Sequence, residues 1–563
     1  REQLAYDTVF NGIEPFLYDV HMMDMVSSRD VSRPGDRDLV RIASIMNSIL
    51  PLRGTFPTEE ENARFDSMVK YYLNLQPQFF FENISSITAI MTASQILADD
   101  SIQPRSTYAL TKVFTMDKAV HVNDDFGFAI SMHSDRTYGH ELINSEGKRT
   151  WNTSDGMTYL YDEDTRQYAD GYWAAVDPTR LSGITAEHVD LGVGTGDRTK
   201  NIYPWTGGAT LQDDGIGAIG THFRTLSKAG SSTRNGTDVK KSWFVFGDKI
   251  VALGAGITST TGNGVESIVD NRKIGLDGEN RLAVNGQEVE LELNTAVSGE
   301  ASPNMGTKVK ADYITLAGEN GSKIGYYFPG SAEVNLLKEQ RTGKWSDQGT
   351  GSGEATATFA TIFFDHGTKP TNESYAYILM PGADDGDMAA YAADPTIEIL
   401  QNDAGAAAVH DSVSNTTAVN FWNAGGVGGI ASDSPASVVL REQDGKLTLA
   451  VADPTQQKDQ ITITLPYLAG TVIESDENVT ITSAEPFTVI TVDTKGCEGT
   501  TSTITFEATP AAGSEVMSVA SAQPVLDVTL GTAFKHIPLP ETVTVLTADG
   551  AEHEVGVQWQ RGD

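Results

Sequence analysis

The chain has 563 residues, 39% hydrophobic and 21% charged, with 54 Gly against 21 Pro, a globular composition that excludes wholesale disorder and a collagen-like chain. Its 76 acidic residues against 40 basic ones give a formal net charge of −36, which argues against nucleic acid and anionic membrane surfaces as partners; an anionic ligand needs a local basic patch set against the overall field. The one cysteine, Cys497, excludes an intrachain disulfide and a cysteine-rich zinc site, and no run of about 18 apolar residues reads as a membrane-spanning helix.

In chain order, residues 4–26 are apolar on several sides, which predicts a helix buried among other helices. With Asp36 as N-cap, Leu39, Ile42, Ala43, Met46, Ile49 and Leu50 follow helical spacing. Thr58 and Glu61 form a capping box ahead of a face made by Phe65, Met68, Val69 and Tyr72. A further helix carries Ile87, Ile90, Met91 and Leu97. Four such helices leave apolar faces without partners. Beyond about residue 105 the signature changes to strands: Phe126, Phe128, Ile130 and Met132 alternate with small residues, and residues 242–254 read as two strands meeting at a Gly-Asp turn. Short β-branched and aromatic runs continue to about residue 510, which predicts large antiparallel sheets stacked as sandwiches. Residues 509–527 have a linker's composition, and residues 531–559 read as the opening of a small β-domain.

Common catalytic signatures are absent: no P-loop, dinucleotide fingerprint, HExxH or GxSxG occurs. The acidic pairs Asp213-Asp214 and Asp384-Asp385 have the oxygen ligands of a Ca²⁺ site, and equally the character of solvated loops. Three segments carry more information. In Met22-Met23-Asp24-Met25-Val26-Ser27-Ser28-Arg29-Asp30-Val31-Ser32-Arg33, two arginines at i and i+4 can share a helix face suited to a bidentate carboxylate; the plainer reading pairs them with Asp24, Asp30 or Asp36. Arg136, Glu141, Asn144 and Glu146 cluster ahead of Trp151 in what is otherwise a polar loop, and Asp155-Gly156 turns into the aromatic strand Met157-Thr-Tyr-Leu-Tyr161.

Taken together these strings resemble polysaccharide lyase family 8, whose members degrade hyaluronan, chondroitin and xanthan. The resemblance runs collinearly through Met116-Asp117-Lys118, His121, Ser134 to Arg136, Glu141-Leu-Ile-Asn144, Trp151 to Tyr161, Lys241-Ser-Trp-Phe244, Asn271-Arg272, Gly325-Tyr-Tyr-Phe328, Thr342-Gly-Lys-Trp345, Asp365-His-Gly-Thr368 and Tyr375-Ala-Tyr377. It implies an α+β multidomain fold, in which the C-terminal end of an incomplete α/α toroid precedes large antiparallel β-sandwich domains. The expected domains are the toroid end at 1–103, a central sandwich at 104–385, a C-terminal sandwich at 386–512, a linker at 513–528, and a truncated bacterial Ig-like domain at 529–563. The implied chemistry is β-elimination next to a uronic acid, in which hydrogen-bond donors or cations neutralise the sugar carboxylate and a tyrosine moves the C5 proton. Carried over by position, Arg29, Arg33 and Glu141 are the expected catalytic residues, and Arg136 and Asn144 the expected substrate-binding ones. No cofactor or metal is required, and a structural Ca²⁺ is left open. The expected partner is an acidic polysaccharide outside a bacterial cell, with xanthan placed slightly ahead of hyaluronan and chondroitin.

The chain also departs from the family pattern. Where members have Arg-Gly-Arg, it has Ser27-Ser28-Arg29, one positive charge fewer. The family's asparagine, histidine and tyrosine lie upstream of the arginine segment; His21 reads as packing or capping, and Tyr6 and Tyr18 as ordinary helix residues. The start at Arg1 therefore gives the expectation of a removed upstream half, which in the nicked case stays docked as a partner, and the unclosed pattern after residue 531 that of a second cut edge. The competing expectation is a non-catalytic carbohydrate-binding β-sandwich, with an aromatic platform elsewhere and the two arginines tied up in solvent-facing pairs.

Overall fold

The computed structural model describes residues 1–35, 37–106, 109–297, 301–513, 516–519, 537, 539–548 and 551–557. The capping box forms as expected: Thr58 Oγ1 accepts from the Glu61 backbone N–H at 3.1 Å, and Glu61 Oε2 accepts from that of Thr58 at 2.9 Å, starting the helix Glu59–Leu75. The helix Asp38–Ile49 buries Ile42, Ala43, Met46 and Ile49; the expected N-cap, Asp36, lies outside the described residues. A short helix, Pro77–Asn83, was not anticipated. The helix Ile87–Ala98 turns a different face inward from the expected one. Ala89, Ala93 and Ile96 are buried, while Ile87 and Met91 are 76% and 59% exposed. Two small alanines let this helix sit close against the layer, and the larger apolar residues are left outside.

Residues 4–26 do not form one helix. A first turn, Glu2–Asp7, widens into Thr8–Ile13 and tightens at Glu14–Phe16, where Pro15 cannot continue an α-helix. The chain then makes a minimal hairpin, Leu17–Tyr18 with His21–Met22, and two further 3₁₀ turns, Asp24–Val26 and Ser28–Ser32. The apolar residues are buried as expected, but into two cores: Val9, Phe10 and Leu17 pack with the helices, and Phe16, Met23, Met25 and Val31 pack against the β-region.

The β-region is a stack of antiparallel sheets. A four-stranded sheet runs Leu110–Phe114, Lys118–Val122, Gly127–Ser131 and Met157–Tyr161. Strand periodicity sends alternate residues to opposite cores. Phe128, Ile130 and Leu160 face the large sheet, whereas Ala129, Met157, Tyr159 and Tyr161 face the segment 16–31. The large sheet has thirteen strands among the described residues, and the strands Asp238–Phe246 and Lys249–Thr258 meet at the expected Gly-Asp turn. Next comes a seven-stranded sheet buried on both faces. Ala407, Val409 and Ala418 pack toward the large sheet, and Ala406, Ala408 and Val419 pack toward a five-stranded sheet that closes the C-terminal sandwich. Within the expected linker, Val516–Val519 is instead a strand, paired with Thr542–Thr547, which in turn pairs with Glu552–Gly556; most of the rest of 513–536 lies outside the described residues.

Charged groups inside this stack are paired. Arg180 meets Glu266, Arg234 meets Asp155 and Arg272 meets Asp162, all with side chains no more than 3% exposed. Arg136 joins three segments. Its Nη2 donates to Asp117 Oδ1 at 3.0 Å and to the Thr206 carbonyl at 3.0 Å, and its Nη1 donates to the carbonyls of Pro204 and Thr455 at 2.7 and 3.2 Å. The guanidinium thus ties the four-stranded sheet to the C-terminal sandwich. Both Nη groups are taken up by these bonds, while Nε has none, so Arg136 has a structural role here.

Two predictions follow from these buried charges. Asp117 is 1% exposed, so Arg136→Met strands its carboxylate and is expected to lower the unfolding free energy by about 3–5 kcal/mol, read from denaturant midpoints; a loss under about 1 kcal/mol contradicts the staple. Lys241 is buried beside the Trp243 and Tyr375 rings, and burial pushes its ammonium down to about 7. An unfolded lysine holds its proton to about pH 10.4, so between these values the unfolded chain binds more protons and stability rises with pH. Urea midpoints are therefore expected to climb from pH 7.5 to about 9.5, and less steeply in Lys241→Met; equal slopes contradict the assignment.

Candidate functional site

The two arginines are positioned by turns rather than by a helix. Ser28 has φ 50°, the left-handed conformation that glycine adopts without strain, at the position where the family pattern has Gly. The turn Ser28–Ser32 follows, and Arg33 is already extended. Arg29 and Arg33 converge because of a partner in the loop 141–149. Glu146 Oε1 accepts from Arg33 Nε at 2.8 Å, and Glu146 Oε2 accepts from Arg33 Nη2 at 3.0 Å and from Arg29 Nε at 3.2 Å. Arg29 Nη1 also donates to Glu141 Oε2 at 3.0 Å. The Glu146 side chain is 10% exposed and accepts three charge-assisted bonds, a network rather than the isolated surface pair that contributes about 0–1 kcal/mol. The bonds from Arg33 hold its carboxyl below the usual range.

Glu146 owes its place to the loop's shape. Asn144 and Ser145 both have positive φ, and the turn closes with an antiparallel bridge between Ile143 and Glu146. Asn144 is exposed at the tip, where its tolerance of the left-handed region makes the turn. Gly147 follows at φ 77°, with its Cα so close to the Glu141 carbonyl that a Cβ would come within 2.4 Å of that oxygen. The Gly147 backbone N–H donates to Ser32 Oγ at 3.3 Å, and Lys148 Nζ donates to the carbonyls of Ser346 and Gly349 at 2.8 and 2.9 Å. The loop is thereby pinned on both sides.

Behind the arginines lies a second charged layer that sequence reasoning missed. Arg41 donates to Asp30, Asp24 and Asp38 at 2.8, 2.9 and 3.1 Å, and Asp30 accepts from Arg33 at 2.6 Å. Asp24 is buried; burial, with Asp38 beside it, pushes its carboxyl up to about 6, against the bonds from Trp173 Nε1 and Arg41. The only sequence signal was helical spacing, which puts Asp38 and Arg41 on one face three residues apart. Of packing or capping, His21 shows packing: it is buried, with Nδ1 2.8 Å from the Asp38 carboxylate, and makes no cap bond to the helix backbone. Burial raises the Tyr18 phenol above its usual value, the wrong direction for a base. Tyr6 accepts from Arg64 Nη1 at 2.8 Å.

In front of Arg29 is a cleft of about 310 Å³. Met25, Ser28 and Arg29 form one wall; Lys118, Thr137 to Glu141, Thr150 and Ser154 form the other; Tyr159 and Trp173 lie beneath. Arg33 points instead to a neighbouring small recess lined by Asp30, Arg37, Arg41 and Trp345. Burial pushes the Lys118 ammonium down to about 8, so it remains mostly charged at neutral pH, and burial with Arg234 nearby pushes the His140 imidazole down to about 4, so that ring is neutral. The cleft is lined by the cations Arg29 and Lys118 and by the carboxylates Asp24 and Glu141, which Arg41 and Arg29 engage, a chemistry that leaves cationic donors for a carboxylate or sulfate. Of the acidic pairs considered for Ca²⁺, Asp214 pairs with Arg441, Asp385 pairs with Arg281, and Asp384 caps the helix Asp385–Ala393. Among the described residues, no group of three or more His, Cys, Asp or Glu is placed to hold a metal.

Comparison with known proteins agrees with this layout. Residues 110–392 match the super-sandwich domain of polysaccharide lyase family 8, and residues 398–462 match the C-terminal β-sandwich domain of the same family. A xanthan lyase of Bacillus sp. (strain GL1) is 35% identical over 506 residues, covering 88% of this chain and 52% of that protein. A hyaluronate lyase of Thermasporomyces composti is 32% identical over 509 residues, covering 89% and 62%. Among solved structures, a Paenibacillus xanthan lyase superposes with a TM-score of 0.80 at 34% identity, covering 96% of this chain and 52% of that one. The chondroitin AC lyase of Streptomyces coelicolor A3 in complex with chondroitin sulphate gives 0.76 at 28% identity, covering 90% and 65%. The chain spans about half to two thirds of the length of these relatives. With the family's super-sandwich profile matching half of its residues, the chain belongs to polysaccharide lyase family 8.

Proposed function

We propose that this chain is the arginine-bearing and β-sandwich part of a secreted bacterial lyase that cleaves an acidic polysaccharide next to a uronic acid by β-elimination, giving 4,5-unsaturated uronate products. The observation that carries this reading is the Arg29–Glu146–Arg33 cluster, with Arg29 opening onto a cleft in a chain of net charge −36. The C5 proton of a uronate is hardly acidic while the adjacent carboxylate is charged. A guanidinium against that carboxylate stabilises the enolate-like charge that develops as the proton leaves and the 4-O-glycosidic bond breaks. In this scheme Arg29 holds the sugar carboxylate, Glu141 and Glu146 fix the Arg29 plane, and Arg33 supports Glu146 from behind. The proton-moving groups belong to the rest of the natural protein, on a toroid whose end is the helical layer of residues 1–103. The exposed Ile87 and Met91 fit a helix face that such a partner covers. No cofactor is invoked.

Substrates of this kind are polymers degraded outside the cell. Xanthan stands slightly ahead of hyaluronan and chondroitin, supported by the 35% identity and the 0.80 superposition with xanthan lyases. A non-catalytic carbohydrate-binding role would suit the sandwiches, but the arginines here share a buried carboxylate beside a cleft, whereas that role was expected to leave them in solvent-facing pairs.

The test is ultraviolet absorbance of unsaturated uronate formed from xanthan, hyaluronan and chondroitin by the natural protein that contains this chain. Product is expected from one of the three, with Arg29→Ala losing about 10²–10³-fold in kcat. Binding without product supports the carbohydrate-binding alternative. Parental turnover by Arg29→Ala removes that residue from the chemistry.

A further inference from the structure

The wall of the cleft opposite Arg29 is a two-stranded ribbon whose role the cluster above does not explain. Residues 134–140 run antiparallel to 198–203. Tyr138 bridges Lys200, the Gly139 backbone N–H donates to the Thr199 carbonyl at 3.1 Å, and that of Arg198 donates to the His140 carbonyl at 3.1 Å. This register sets Tyr138 opposite Lys200 as a cross-strand pair. Tyr138 is 56% exposed although it lines the cleft, and Lys200 Nζ lies 5.6 Å from its ring centroid. His140 also lines the cleft; it is 7% exposed, and neither ring nitrogen has a hydrogen-bond partner. Arg198 Nη2 stands 3.7 Å from Glu141 Oε1, which links the ribbon to the arginine cluster.

The ribbon is held rigidly. Gly139 lies directly over the buried Arg234, where a Cβ would come within 2.6 Å of Nη2, and Arg234 is fixed by two bonds to Asp155 at 2.8 and 2.9 Å. An exposed aromatic ring in the cleft wall with an ammonium over it forms a recognisable combination. An aromatic face packs against the C–H face of a pyranose, and an ammonium takes a nearby anion.

We infer that this ribbon is a sugar subsite, in which Tyr138 stacks on a pyranose ring and Lys200 engages a carboxylate or sulfate on that sugar or its neighbour. The inference rests on the acidic-polysaccharide reading of the cleft and adds the residues that select the sugar beside the reacting one. Tyr138 and Lys200 are exposed, so their substitution leaves the fold intact.

Binding of short oligosaccharides of hyaluronan, chondroitin 4-sulfate and xanthan to the full chain, measured by calorimetry at two salt concentrations, tests it. Tyr138→Ala is expected to weaken the best of the three by about tenfold, while Tyr138→Phe stays within about twofold. Lys200→Met is expected to weaken binding and flatten its salt dependence. Unchanged affinity in Tyr138→Ala, with binding lost in Arg29→Ala, overturns the subsite and leaves the cleft's reading standing. Failure of the parent chain to bind any of the three overturns both.

Discussion

One carboxylate organises the site. Glu146 accepts bonds from Arg29 and Arg33, two like charges that would otherwise repel, and it does so from a loop anchored to the turn that carries them. A salt bridge between exposed side chains contributes little, but here the acceptor is largely buried and each guanidinium has a further carboxylate to orient it. The cost of assembling positive charge in one place is offset by negative charge from Glu141, Glu146 and Asp30, and beyond these by the layer in which Arg41 gathers Asp24, Asp30 and Asp38. What remains open toward the cleft is the outer part of Arg29.

The stacked sheets are what make such placement rigid. The four-stranded sheet is buried on both faces, so the segment 16–31 packs on a surface whose other side is locked onto the large sheet. The Asp24 backbone N–H donates to the Tyr161 hydroxyl at 2.7 Å, and Trp173 Nε1 donates to the Asp24 carboxylate at 2.7 Å, linking the arginine segment directly to that platform. On the far side, Arg136 and the Trp205 Nε1 bond to the Phe421 carbonyl tie the platform to the C-terminal sandwich. A cleft wall made of short turns and loops thus has the stiffness of sheet behind it.

Much of this was legible in the residues. The capping box at Thr58, the turn at Gly247-Asp248 and the alternation through Phe126 to Met132 each follow from local rules, and each appears in the structure. The pairing of Arg29 with Glu141 came from a collinear resemblance rather than from spacing, since 112 residues separate them. What sequence could not give was three-dimensional convergence. Hydrophobicity on several sides of residues 4–26 was real, but it served two cores, and Pro15 and Asp19 broke the helix that a single core would have favoured. Arg136 and Asn144 carry chemistry suited to a ligand, and in the fold they also serve as a staple and a turn residue, which no local spacing foretells. Glu146 was visible as part of a polar cluster, yet nothing in its spacing distinguished the residue that clamps both arginines from its neighbours.

The central claim is that Arg29, held by Glu141 and Glu146, receives the anionic group of the substrate. A crystal structure with a bound uronic-acid oligosaccharide tests it most directly. The account predicts a sugar carboxylate about 2.7–2.9 Å from an Arg29 guanidinium nitrogen, with both glutamate bonds retained. An oligosaccharide seated in the cleft with its carboxylate turned away from Arg29, or bound on another face of the sandwiches, contradicts it.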